Sequence, residues 1–113
     1  MSPKQSKYLS RAEEMILLAI WRLKDNAYGV SIREELKRMT GQEWAFGALF
    51  VTLERMAKKD LLRSSLSEPT RERGGRRKRL YRLTLDAVEA LKAVRELQRS
   101  AWADSPDLLS EKP

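Results

Sequence analysis

Between Thr70 and Arg82 the chain sets seven cations, Arg71, Arg73, Arg76, Arg77, Lys78, Arg79 and Arg82, against a single carboxylate, Glu72. That short stretch holds +6 of a formal net charge of +7, so the rest of the protein is close to neutral. Charge added only for solubility would be spread over the surface. A membrane-surface protein would lay it along an amphipathic helix opposite aromatics. Here it surrounds a Gly74-Gly75 pair after Pro69, the composition of a hairpin tip. A cation-rich loop of this kind suits a polyanion, and arginines suit the narrow minor groove of DNA, where the potential is most negative. The plain alternative is a solvated charged loop.

Other chemistry is poorly supplied. The chain has no cysteine and no histidine. Disulfides, thiolate metal sites and thiol sensing are excluded, and so are the commonest metal ligand and general base. No metal or other cofactor is expected. The adjacent carboxylates Glu13-Glu14 and Glu34-Glu35 diverge on a helix and cannot share a proton. No nucleophile–base pair and no phosphate-cradling glycine loop is found, which speaks against an enzyme. The longest apolar run, Met15 to Trp21, is far below the roughly 20 residues of a membrane span. It follows two acids and lies too deep for a signal-peptide core. The protein reads as cytoplasmic.

The elements that must position the basic stretch follow from periodicity. The 113 residues fit one core. Residues 1–9 read as a polar arm. Ser10 caps a first helix running to about Leu23, with Glu13 completing a capping box. Its centre is apolar on nearly every side and must be covered all round; a second copy is the simplest cover. Lys24-Asp25-Asn26 is a turn. A second helix begins near Ala27–Gly29 with Asn26 as its cap and Val30, Ile32, Leu36 and Met39 as its apolar side, and Gly41 ends it. A third spans about Ala45 to Lys59, with Leu49, Leu53 and Met56 as its buried stripe. Leu62 to Ser67 alternates, as a half-buried strand does, and a second strand covers Arg79 to Leu83. Thr84 caps a final helix whose apolar positions run from Ala87 to Trp102. The tail, 104–113, is polar. The order helix, helix, helix, strand, strand, helix is mainly α with a small two-stranded hairpin: a winged helix-turn-helix over 10–83, followed by an added C-terminal helix over 84–103.

Particular residues carry a family likeness. Gly47-Ala48-Leu49-Phe50-Val51-Thr52-Leu53-Glu54-Arg55-Met56, then Asp60-Leu61-Leu62, resembles the recognition-helix signature of the PadR family of bacterial transcriptional regulators. Tyr28-Gly29 resembles the pair opening that family's second helix. Gly74-Gly75-Arg76-Arg77-Lys78, followed by Tyr81-Arg82-Leu83-Thr84, resembles its wing and the step into its last helix. The likeness spans about Ser10 to Leu97. There are departures: Phe50 stands for a usual tyrosine, Val51 for a frequent proline, Asp60 for a helix-ending glycine. Thr84-Leu85-Asp86-Ala87 stands for threonine-proline-glutamate-glycine.

The resemblance implies a homodimer built from the first and last helices, here through Leu17, Trp21, Leu91, Val94, Leu97, Ala101 and Trp102. It also implies binding to double-stranded DNA at an inverted repeat, as a repressor. Release by a flat aromatic or hydrophobic small molecule is implied too, since short members with one C-terminal helix hold such compounds at the dimer interface. Trp102 is the candidate stacking wall, although simple dimer packing explains it more readily; Trp21 and Trp44 read as core or dimer contacts.

For DNA, Arg76, Arg77, Lys78 and Arg79 are the foremost contacts. On the third helix Thr52 would meet a base edge or thymine methyl, Arg55 a guanine or phosphate and Lys58 a phosphate; the bland reading leaves them as surface, with Arg55 paired to a carboxylate. Tyr28 would give its hydroxyl to a phosphate, or pack on the third helix. Phe50 reads as a packing residue. Two other partners stay open: an acidic protein surface docked by the basic hairpin, and RNA.

Overall fold

Ser10 opens the first helix by a reciprocal pair of bonds. Its Oγ accepts from the Glu13 N–H at 3.1 Å, and Glu13 Oε1 accepts from the Ser10 N–H at 2.9 Å. From this cap the computed structural model, which describes residues 9–69, 77–105 and 107–110, runs through α1 (Arg11–Leu23), a 3₁₀ turn (Lys24–Asn26), α2 (Gly29–Thr40), α3 (Phe46–Lys58), β1 (Leu62–Leu66), β2 (Arg79–Leu83) and α4 (Leu85–Ala103), then a last 3₁₀ turn (Leu108–Ser110). The expected N-terminal arm, apart from Leu9, lies outside the described residues. So do the hairpin tip with Arg71, Arg73, Gly74, Gly75 and Arg76, and part of the tail.

α1, α2 and α3 enclose the core. Ile16, Leu17, Ile20, Ile32, Leu36, Leu49, Leu53 and Met56 are fully buried. α1 is therefore covered largely by its own chain, not by a second copy as its apolar centre suggests; of its large apolar side chains only Trp21, near its end, is well exposed. Two ion pairs tie the helices together from the side. Glu35 of α2 accepts from Arg22 of α1 and from Arg38, both at 2.6 Å, and Glu13 accepts from Lys59 at 2.8 Å. No buried polar side-chain atom among the described residues lacks a partner.

Three local expectations are corrected. Asn26 does not cap α2; Tyr28 is the N-cap residue. Ser31, one turn inside, takes the Tyr28 N–H at 2.9 Å and gives its own hydroxyl to the Asn26 carbonyl at 2.6 Å. Val30 is exposed, and the buried side of α2 instead carries Ser31 and Glu35 beside Ile32 and Leu36. β1 is buried only at Leu62. Ser64 and Leu66, expected on the inward face, are exposed, and on that face the hairpin is buried at Leu62 and at Tyr81.

The two strands are antiparallel, with Leu62 opposite Leu83 and Leu66 opposite Arg79. The base of the hairpin is moored at two points. The Tyr81 N–H donates to the Ala27 carbonyl at 2.9 Å, and the Thr84 N–H to the Leu61 carbonyl at 3.2 Å. Between α3 and β1 the chain turns through Asp60, whose φ is +64°. The Leu61 N–H bonds the Met56 carbonyl and the Asp60 N–H that of Ala57, at 2.9 and 3.1 Å. That is a Schellman closure with aspartate in the left-handed position usually held by glycine. Thr84 caps α4, its Oγ accepting from the Ala87 N–H at 3.1 Å.

Candidate nucleic-acid interface

α3 buries Leu49, Leu53 and Met56. At helical spacing, the residues opposite that stripe are Gly47, Val51, Glu54 and Lys58, with Ala48 and Arg55 beside them. Of these, Gly47, Ala48, Val51, Glu54, Arg55 and Lys58 are all exposed. The angle of the helix is held from α2. Arg33 reaches over the Phe46 ring, 5.1 Å from its centroid, and its Nε donates to the Trp44 carbonyl at 2.5 Å. Gly29 leaves room for that ring: a Cβ there would stand 3.3 Å from Phe46 Cε1.

Arg55 and Lys58 lie on the open side of α3 as expected. Neither makes an ion pair among the described residues, so the pairing considered for Arg55 is not found. Thr52 is less accessible. It sits half-buried on the flank, and its hydroxyl donates to the Ala48 carbonyl at 3.0 Å. Phe50 does not pack inside; it is exposed next to Val51. The packing role expected of Phe50 is thereby corrected, while Val51 is exposed as its place off the buried stripe predicts. The signal for Phe50 was present in the spacing, since it too falls off the Leu49–Leu53–Met56 stripe.

The described part of the wing begins at Arg77. Lys78 is set by its backbone, its carbonyl accepting from the Ser67 N–H at 2.7 Å and its N–H donating to Ser67 Oγ at 2.8 Å. Its Nζ then lies 4.1 Å from the centroid of the Tyr28 ring. Tyr28 thus packs against the wing, at the head of α2, where unpaired backbone N–H groups favour anions. Arg79 Nη1 donates to Ser64 Oγ across the hairpin at 3.1 Å. Arg82 points elsewhere and pairs with Asp25. Arg76 lies outside the described residues. Arg77, Lys78 and Arg79, Tyr28 and the open side of α3 are positioned by elements joined through α2 and the strand mooring. This is a helix-turn-helix with a basic wing beside it.

A profile of the PadR-like family of transcriptional regulators matches residues 17–93. The chain belongs to the PadR-like family. This is a family of transcriptional regulators, not of enzymes. Solved structures share the fold. A PadR-like transcriptional regulator from Bacillus cereus is 21% identical, with a TM-score of 0.72 over 89% of this chain and 93% of that one. A PadR family transcription regulator from Clostridium difficile is 25% identical, with a TM-score of 0.57 over 80% and 86%. RosR of H. salinarum is 25% identical, with a TM-score of 0.66 over 88% and 82%. No curated protein sequence matches the chain. Among the described residues of this PadR-like protein, no helix is long and apolar enough to cross a membrane and no acidic cluster could hold a metal ion.

The residues expected at a dimer contact divide into two sets. Leu17 and Val94 are buried within the chain and offer a second copy no surface, and Leu91 packs half-buried against the core. Trp21, Leu97 and Trp102 are 53, 45 and 56% exposed, with Ala101 open beside them. An open hollow of about 250 Å³ adjoins Trp21, lined by Ile20, Lys24, Asp25, Arg82 and Leu83; a smaller one of about 140 Å³ lies among Ala101, Trp102, Ser105 and Leu108. Trp44 is half-buried against the core.

Proposed function

We propose that this PadR-like protein binds double-stranded DNA in a sequence-dependent way, as a homodimer on an inverted repeat, and represses a nearby operon. The observation that carries the reading is the pairing of an open α3 face with a basic wing whose Lys78 is held over Tyr28 at the head of α2. α3 enters the major groove, Arg55 and Lys58 meet phosphates or guanines, and Arg77, Lys78 and Arg79, with Arg76, neutralise the backbone beside the minor groove. The exposed Trp21, Leu97 and Trp102 support a second copy as the cover of α4. A flat aromatic effector would stack on Trp102 in the hollow beside Ala101 and Leu108 and release the DNA. Quenching of tryptophan fluorescence by planar dyes tests that step, and no response from a broad panel removes it.

The central test is fluorescence anisotropy with a labelled duplex from upstream of the protein's own gene. A scrambled duplex of equal length is the control, at about 0.15 M salt, where non-specific binding is roughly 10⁻⁴ to 10⁻⁶ M. Nanomolar binding to the first alone is expected. With four phosphates neutralised per subunit, the log–log salt slope of the dimer is about −7. Failure to find any preferred duplex, here or by selection from a random library, overturns the reading, and preference for A-form RNA or an acidic protein replaces it.

A further inference from the structure

We propose that this protein reads its DNA site through thymine methyl groups, with Val51 as the chief reader and Phe50 beside it. The inference rests on the operator-binding reading and assigns its base specificity. In a helix-turn-helix the N-terminal half of the recognition helix meets the base edges. In α3 that half presents Gly47, Ala48, Phe50 and Val51 to solvent, with Phe50 and Val51 52 and 55% exposed. None of these side chains can donate or accept a hydrogen bond. Thr52, the nearest that can, donates its hydroxyl to the Ala48 carbonyl and is half-buried on the flank, which leaves it an acceptor only. Glu54 and Arg55 lie farther along, and Lys58 farther still.

Nothing inside the protein explains the two exposed apolar side chains, Val51 opposite the Leu49–Leu53–Met56 stripe and Phe50 on its flank. Nor does anything explain Gly47 on the same outward line: a Cβ there would meet no atom within 4 Å. Phe46, at the start of the helix, is exposed too, but Arg33 lies over its ring; Val51, with only Gly47 one turn before it on the outward line, has no side chain ahead of it there. Arg55 and Lys58 on the same helix, with the wing cations Arg77, Lys78 and Arg79, attract a polyanion to the protein.

The major-groove floor carries one apolar projection, the thymine C5-methyl. Valine and phenylalanine set against it bury apolar area on both sides. Set against a guanine, adenine or cytosine edge, they strip water from donors and acceptors and return no hydrogen bond, which is costly. The same side chains therefore favour thymine and reject the other bases.

The test starts from the tightest duplex recovered by selection from a random library on the full-length protein. Each thymine is then replaced by deoxyuridine, which removes only the methyl. The wild type is expected to lose about four-fold in affinity at one or two positions per half-site. Val51→Ala should bind the thymine and deoxyuridine duplexes alike at one of those positions. Alanine at an exposed helical site keeps the fold, and circular dichroism verifies it. Phe50→Ala is the second variant, for the neighbouring position. Equal wild-type binding to thymine and deoxyuridine at every position overturns the inference while leaving operator binding intact. Full discrimination retained by both variants overturns the assignment to these residues. A selection that enriches no duplex removes the operator reading and this inference with it.

Discussion

Asp60 stands where the backbone needs a left-handed residue, with φ at +64°. Its neighbours leave it no other shape: its carbonyl takes the Thr84 hydroxyl at 2.7 Å while its N–H closes the end of α3. Aspartate tolerates that region better than most residues, but a β-branched side chain does not. Asp60→Gly should be neutral or stabilising by less than about 1 kcal/mol, as lost strain offsets added chain entropy. Asp60→Val should cost about 1–2 kcal/mol. Urea unfolding measures both, and equal midpoints for the two variants would show that the turn carries no strain. A second residue-scale effect concerns acid. The hydrogen bond from Arg38, helped by Arg22, holds Glu35 below its ordinary 4.5 against the opposing effect of burial. Burial pushes Glu13 up, but Lys59 and the Ser10 N–H outweigh it and leave it lowered from the same 4.5. A carboxyl with a depressed folded pKa adds stability above its unfolded value and gives it up as pH falls through the folded one. Stability should hold from neutral pH down to about 5 and decline below about 4.5. Glu35→Gln should lower the neutral-pH midpoint and flatten that decline; an unaltered pH profile would show that the Arg22–Glu35–Arg38 link adds nothing to folding.

At the scale of elements, the helices and strands were legible because each carries its own signal. Ser10 with Glu13, Gly41 after α2 and Thr84 before α4 mark ends by local hydrogen bonding, and the Leu49–Leu53–Met56 spacing marks a buried face. What could not be read is how far a neighbour extends over an element. Leu66 alternates correctly for a half-buried strand, yet it is exposed. Val30 and Phe50 are apolar at positions the body does not reach, and Leu17 faces its own core. The candidate DNA-binding residues follow the same division. The cations were visible as composition, whereas the stacking of Lys78 on Tyr28 joins residues far apart in the chain, and no local pattern announces it. That stack makes the wing and α2 one unit and yields a test. If the ring is a platform that steers Lys78, Tyr28→Phe should keep DNA affinity within about two-fold and Tyr28→Ala should weaken it several-fold, on the scale of a cation–π interaction. If the hydroxyl itself holds a phosphate, Tyr28→Phe should lose as much as Tyr28→Ala. Replacing Arg77, Lys78 and Arg79 together by alanine should reduce the salt slope by about 0.9 for each phosphate left without its cation. An unchanged slope with unchanged circular dichroism would take the wing out of the interface.

For the whole molecule the decisive feature is how little of α4 its own chain covers. The radius of gyration is 16.7 Å, against about 13 Å for a compact domain of this length. α4 has 19 residues, yet only Ala87 and Val94 on it are buried. It rests chiefly on α1 and β2, with one long bond from Gln98 to Glu14 at 3.4 Å. Leu97 and Trp102 therefore face outward near the far end of a helix that a lone chain has no reason to extend. A second copy covering Leu97, Trp102 and Trp21 would bury them and bring two α3 helices onto one duplex. Two half-sites held together bind about 10² to 10⁴ times more tightly than one, so assembly and DNA affinity should fail together. Leu97→Asp puts a charge on that outward face without entering the core, and the circular dichroism of the monomer should be kept. Sedimentation equilibrium should show the wild type as a dimer and the variant as a monomer, and the variant's affinity for a full inverted repeat should fall at least about 100-fold, toward that of the wild type for a single half-site. A variant that stays dimeric with full affinity would put the dimer interface somewhere other than α4. A variant that becomes monomeric yet binds the full repeat as tightly as before would mean that one chain suffices, and that the two-fold symmetry assigned to the site is wrong.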